Sequence, residues 1–256
     1  MKVLVEKNGP VTTVILNRPE VRNAVDHETG QMLKAAFEQF DADDSQSAAV
    51  LCGNGETFCG GYDLKFLSGG NLESIYQPEG EGPLGISRMA VSKPVVAAVE
   101  GYAVAGGLEL TLWCDLRVAS ATAQFGVFCR RWGVPLIDGG TVRLPRLIGH
   151  SRALDMILTG RAVGAEEALS FGLANRVVPA GQARAAAQEL AAGISRFPQI
   201  CLRADRRSSY VQWGLSLQDA LKYEGREGAK PLLAEAKHGA ARFAAGKGRG
   251  GDFTAI

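Results

Sequence analysis

The first seventeen residues, MKVLVEKNGPVTTVILN, alternate apolar and polar side chains on either side of an Asn8-Gly9 pair, which predicts two strands joined by a tight turn. Asp26 then stands where an N-cap belongs, and Met32, Leu33, Ala36, Phe37 and Phe40 follow it at helical spacing. Residues 48–52 form a short apolar run that reads as a buried strand, and YDLKFL at 62–67 starts a short helix. Residues 68–85 are rich in Gly, Ser, Pro and Glu and read as a mobile loop. PVVAAV at 94–99 is a second buried strand leading to a helix that carries Glu109, and 116–119 is a third. GVPLIDGGT at 133–141 reads as a long turn, Ser151 as the cap of a helix over RALDMIL, 165–170 as a short helix, and ANRVVP as extended chain. From Gln182 onward the pattern is helical, to Arg196 and, after a break at Pro198, on to about Phe243. Strands early and helices late predict an α/β core followed by a helical appendage, with no period that would indicate a solenoid.

Composition keeps the chain among ordinary globular proteins: 256 residues, 46% hydrophobic, 21% charged, net charge +1. That balance argues against an electrostatic nucleic-acid surface. Cys52, Cys59, Cys114, Cys129 and Cys201 are an odd, scattered set without zinc spacing, which reads as free thiols in a reducing, cytoplasmic compartment. The N-terminus matches neither a signal peptide nor a transit helix, and no run is long and apolar enough to span a bilayer.

Two glycine-rich turns, FCGGYDL at 58–64 and GYAVAGGLEL at 101–110, carry the candidate chemistry. Each can present an unbonded N–H where a helix begins, and two such donors can hold one oxygen that becomes an anion. Glu109 lies three residues after Gly106, which returns its carboxylate to the same helix face. That combination suits proton chemistry beside a carbonyl. Other classes lack their parts: no G-x-G-x-x-G follows a strand and no P-loop occurs. GHSRA at 149–153 matches a nucleophile elbow poorly, because its last position is Ala and Pro145 falls in what would be the preceding strand. His27, His150 and His238 have no partners at ligand spacing, and GKGRGG at 246–251 suits a flexible terminus better than a phosphate site. Taken singly, Glu109 can complement a helix dipole, Asp63 can cap a helix, Asp138 can serve a turn, and Cys129 can be a small buried hydrophobe.

The segments NRPEVRNAV, FCGGYDL, KPVVAAVEGYAVAGGLEL, CDLRVAS, AQFG and LTGRAVGAEEALSFGLANRVVP together resemble, in order and spacing, the crotonase or enoyl-CoA hydratase/isomerase family. The resemblance covers roughly residues 1–200. It implies a spiral of ββα units over 1–197, a helical oligomerisation region over 198–256, trimers or pairs of trimers, and an acyl-CoA thioester as substrate. No metal or separate cofactor is implied, since coenzyme A belongs to the substrate.

By the same resemblance the backbone N–H groups of Tyr62 and Gly106 make the oxyanion hole, and Gly107 follows the second of them. Glu109 matches the first of two glutamates with which family hydratases add water to a 2,3-double bond. The place of the second falls on Cys129, a weak substitute, while Asp138 matches the aspartate of the family's dienoyl-CoA isomerases. Coenzyme A is expected along Arg22, Ala24, Gly60, Gly61, Asp63 and Leu64, with Arg22 or Lys247 near its phosphates, and the 68–85 loop over the acyl chain. Three functions stay open: an enoyl-CoA hydratase, an isomerase that shifts a double bond, and a crotonase-like protein that binds coenzyme A or RNA without turnover.

Overall fold

The strands Val11–Leu16, Ala48–Gly53 and Val95–Val99 are buried on both faces. The computed structural model describes residues 1–70 and 76–253. The largest sheet contains β1 (Val3–Asn8), β2 (Val11–Leu16), β3 (Ala48–Gly53), β4 (Val95–Val99), β6 (Leu116–Ser120) and β9 (Arg176–Val178), in the order β1-β2-β3-β4-β6-β9. Only the β1–β2 pair is antiparallel. Its two-residue connection is Gly9-Pro10, one position later than the expected Asn8-Gly9 turn, and Gly9 takes the positive φ of 54° that the turn needs.

Alternation along these strands sends side chains to two separate cores. Val14, Leu16, Leu51, Ala97 and Val99 face α1 (His27–Ala42), where Leu33, Phe37 and Phe40 are buried. Val11, Ile15, Val50, Cys52, Val96 and Val118 face the opposite way and pack on Ala183, Ala187 and Ala191 of α7 (Ala183–Ser195). Small residues on α7 let the helix lie close to the sheet, and Glu100 caps it by accepting from the Ala183 and Gly181 amides. The Asp26 cap stands as read, its carboxylate accepting from Thr29 N at 2.8 Å.

A second, three-stranded sheet of β5 (Tyr102–Val104), β7 (Gln124–Gly126) and β8 (Ala162–Gly164) escapes the apolar pattern, because three residues are too few to show a period. The chain alternates between the two sheets. β3 leads to a one-residue bridge at Cys59, paired with Ala103, and then to α2 (Leu64–Gly69). β4 leads to β5 and α3 (Gly106–Trp113), and β6 leads to β7 and a 3-10 turn over Phe128–Trp132. Three ββα passes therefore stack without any sequence period, and the Cys59 bridge, β5 and β7 each end at a joint facing one cavity.

Further departures lie beyond these joints. The 133–141 segment ends in a helix rather than a long turn, since α4 (Gly140–Ile148) begins at Gly140 and includes Pro145. No strand leads to Gly149, and that glycine, not Ser151, is the N-cap of α5 (His150–Thr159), with no side-chain hydrogen bond. α6 (Ala165–Phe171) precedes β9. After α7 the chain is helical: α8 (Gln199–Val211), α9 (Leu217–Pro231), a π-helical turn and α10 (Lys237–Ala244). Pro231 is the one buried residue on these three helices among the described residues, and Leu217, Leu221, Leu232 and Leu233 lie in solvent.

Candidate active site

The two glycine turns meet. A Cβ built on Gly61, whose φ is +100°, would lie 2.9 Å from Ala105 Cβ and 3.0 Å from Gly106 N. The contact is direct because Cys59 N donates to Tyr102 O at 2.9 Å and Val104 N donates to Cys59 O at 3.1 Å, which lashes the joints side by side. Ala105 takes a positive φ of 54°, unusual for a residue with a Cβ, and so aims the first amide of α3 away from the strand it leaves. Neither the Tyr62 nor the Gly106 amide has an acceptor among the described residues.

Glu109 projects from the first turn of α3 and is 2% exposed. Its Oε1 accepts from Asp138 N at 2.9 Å and Gly140 N at 2.8 Å, and a Cβ on Gly140 would stand 3.0 Å from that oxygen. Burial, and next the nearby Asp138 charge, push the carboxyl up to about 7, against the opposing pull of the two amides. Both protonation states are therefore populated near neutral pH.

Asp138 is 4% exposed, and its Oδ1 accepts from Leu84 N at 3.2 Å and from the Ser87 hydroxyl. Burial raises its pKa, opposed chiefly by those hydrogen bonds. Cys129 sits at the third joint, where burial and then the Glu109 charge push its thiol up. A neutral thiol thus faces Glu109 where the resemblance would put a second carboxylate.

These groups open onto a cavity of about 1240 Å³. Arg22, Ala24, Gly60, Tyr62, Asp63 and Leu64 line one side, Gly106, Glu109, Cys129 and Asp138 the centre. Gly61 and Gly107 do not line it, contrary to their expected place against the substrate. Gly61 packs on Ala105, and a Cβ on Gly107 would lie 2.1 Å from Cys59 O, so both are glycines because another backbone passes there. Lys247 also lies outside the lining. Of the 68–85 loop, residues 71–75 fall outside the described residues, while Tyr76 and Pro83 reach the cavity.

Sequence reasoning missed the residues that hold the lining in place. Arg18 donates to Ala24 O at 2.6 Å and pairs with Asp63 at 3.0 Å, and buried Asn23 donates to Asn54 O and Thr57 O. Together they brace the Arg22–Ala24 backbone against the first glycine turn, from which Gly60 N donates to Arg22 O. Both belong to NRPEVRNAV, so the signal was in view without its reason. Arg143 has the same office at the centre: Nη1 donates to Asp138 O at 3.1 Å and Nη2 to Ser87 O at 2.6 Å. Asp63 caps α2 through Lys65 N and Phe66 N as expected. Among the described residues no cluster of His, Cys, Asp and Glu is arranged for a metal ion, and no helix is long and apolar enough to cross a membrane.

Residues 6–244 match the family described as enoyl-CoA hydratase/isomerase. The chain belongs to that family. It is similar to an enoyl-CoA hydratase of Mycobacterium tuberculosis, 36% identical over 94% of this chain and 92% of the relative. It is also similar to a mevalonyl-coenzyme A hydratase of Aspergillus fumigatus, 34% identical over 80% and 77%. A crystal structure of an enoyl-CoA hydratase from Mycobacterium marinum superposes with a TM-score of 0.88 at 34% identity, covering 95% of each chain. The crotonase fold expected from the motifs is thus the fold of this family member, C-terminal helices included.

Proposed function

We propose that this crotonase-family protein is an enoyl-CoA hydratase that adds water across the 2,3-double bond of an enoyl-CoA thioester to give a 3-hydroxyacyl-CoA. The observation that carries the reading is the pair of amides, Tyr62 and Gly106, that have no acceptor among the described residues and open on one cavity with a buried Glu109. The thioester oxygen accepts from both amides, so the charge of the enolate formed by attack at C3 moves onto a held atom. Each such donor stabilises the transition state by about 2.7 to 4 kcal/mol. Glu109 takes a proton from water as the hydroxyl bonds to C3, and returns it to C2 as the enolate collapses. A pKa of about 7 suits a group that must take and give one proton in the same turnover.

Cys129 favours a second reading, because a thiol activates water poorly. In an enoyl-CoA isomerase Glu109 moves a proton between C2 and C4 and needs no water, and Asp138 supplies a second acid. Incubation with crotonyl-CoA and, separately, a 3-enoyl-CoA divides the two: the hydratase consumes the first by water uptake and leaves the second unshifted. Coenzyme A is assigned to the side lined by Arg22, Ala24, Gly60, Asp63 and Leu64. The C-terminal helices are assigned to a homotrimer or a pair of trimers, and the compartment to the cytoplasm.

A further inference from the structure

The cavity wall beyond Cys129 is apolar and aromatic, built from Phe128, Trp132, Val134 and Ile137, with the Tyr102 ring 6.4 Å from that of Phe128. Arg131 interrupts it. Its guanidinium carbon lies 5.1 Å from the Phe128 centroid and 5.8 Å from that of Trp132, and its Nε donates to Phe128 O at 3.4 Å. Among the described residues no carboxylate lies within ion-pair distance and neither Nη has an acceptor. The two rings hold the guanidinium in place while its fork stays open, which is an arrangement suited to bidentate capture of a carboxylate.

Three acids of the lining are already engaged and do not serve as that carboxylate. Asp63 is paired with Arg18, Glu109 is held by two amides, and Asp138 by Leu84 and Ser87. The other cations of the lining, Arg22 and Lys65, stand with the segments assigned above to coenzyme A. Arg131 is on the Phe128–Trp132 turn that also carries Cys129, and it lines the cavity from an element other than those assigned to coenzyme A.

Resting on the acyl-CoA reading above, we infer that the acyl group ends in a carboxylate and that Arg131 binds it. Arg131 is exposed, so a neutral chain leaves its fork to water whereas a carboxylate forms a charge-assisted bidentate pair, and the site prefers the carboxylate. Calorimetric titration with saturated thioesters tests this without turnover, using dicarboxylic acyl-CoAs from glutaryl-CoA to suberyl-CoA, each beside its monocarboxylic counterpart of equal length. The expected result is that one dicarboxylic member binds roughly tenfold to a hundredfold more tightly than its counterpart, the range of one charge-assisted hydrogen-bonded pair. Arg131→Gln abolishes the ratio and Arg131→Lys restores part of it, with thermal melting to verify folding. Equal binding of every pair by the native protein overturns the inference, as does a ratio that survives Arg131→Gln. If Arg131→Gln weakens free coenzyme A as much as the thioesters, the fork serves a phosphate and the inference also falls. Binding of no thioester at all would instead sink the acyl-CoA reading.

Discussion

Glu109 shows how a single residue ties stability to chemistry. Its folded pKa of about 7 lies above the ordinary carboxyl value of 4.5, so folding favours the neutral form. Below the lower value the stabilisation is fully present, and it is lost as pH rises through the higher one, on the order of 3 kcal/mol in all. Glu109→Gln, which keeps an oxygen for the Asp138 and Gly140 amides, is expected to melt above the native protein at pH 8 and to match it near about pH 4, by scanning calorimetry across pH. The same variant should lose hydration activity, because an amide takes no proton. Asp138 separates differently: Asp138→Asn retains an acceptor for Leu84 N and Ser87 and should fold normally, whereas Asp138→Ala leaves buried donors unpaired and should cost about 1 to 3 kcal/mol in urea unfolding. A hydratase of the kind proposed keeps most of its rate in Asp138→Asn, and a rate lost with the fold intact would mark Asp138 as catalytic. Glu109 was readable from sequence because Gly106, the glycine that opens its helix, lies three residues before it. Ser87 was not, nor was its link to Arg143, since Ser87 meets both Asp138 and Arg143 across some fifty residues of chain and no spacing rule reaches that far.

At the level of elements, the site is a set of three strand-to-helix joints. Two could be read from glycines and the third, at Cys129, could not, because neither its three-residue strand nor its 3-10 turn leaves a periodic trace. The joints depend on close backbone approach, so Gly61→Ala is expected to displace Gly106 and lower kcat/KM at least ~100-fold, the effect of one lost oxyanion donor. Steady-state kinetics on a variant that still melts cooperatively checks this. The loop that clamps Glu109 depends in turn on Arg143 from α4. Arg143→Gln removes a nearby positive charge and loosens the two amides, both of which lower the Glu109 pKa, so the acid limb of the pH–rate profile should move to higher pH. Arg143→Lys should recover part of that shift, which mere loss of packing would not do. Helix α4 itself went unread because Pro145, placed in its second turn, looked like a strand breaker.

For the whole molecule, the early strands and late helices were visible as an order of patterns, while the spiral was not, since its passes share geometry and no sequence period. The six-stranded sheet is filled from both sides, by α1 and by the alanines of α7, and is complete within one chain. The helices after α7 are different. Leu217 is 78% and Leu233 87% exposed, and neither finds cover among the described residues. If identical subunits supply that cover, unfolding is coupled to dissociation, and mass action makes the midpoint a function of how much protein is present. A dilution series in the calorimeter should then show Tm falling as concentration falls, with the catalytic rate per subunit declining over the same range. A Tm indifferent to dilution would mean that these leucines answer to water alone.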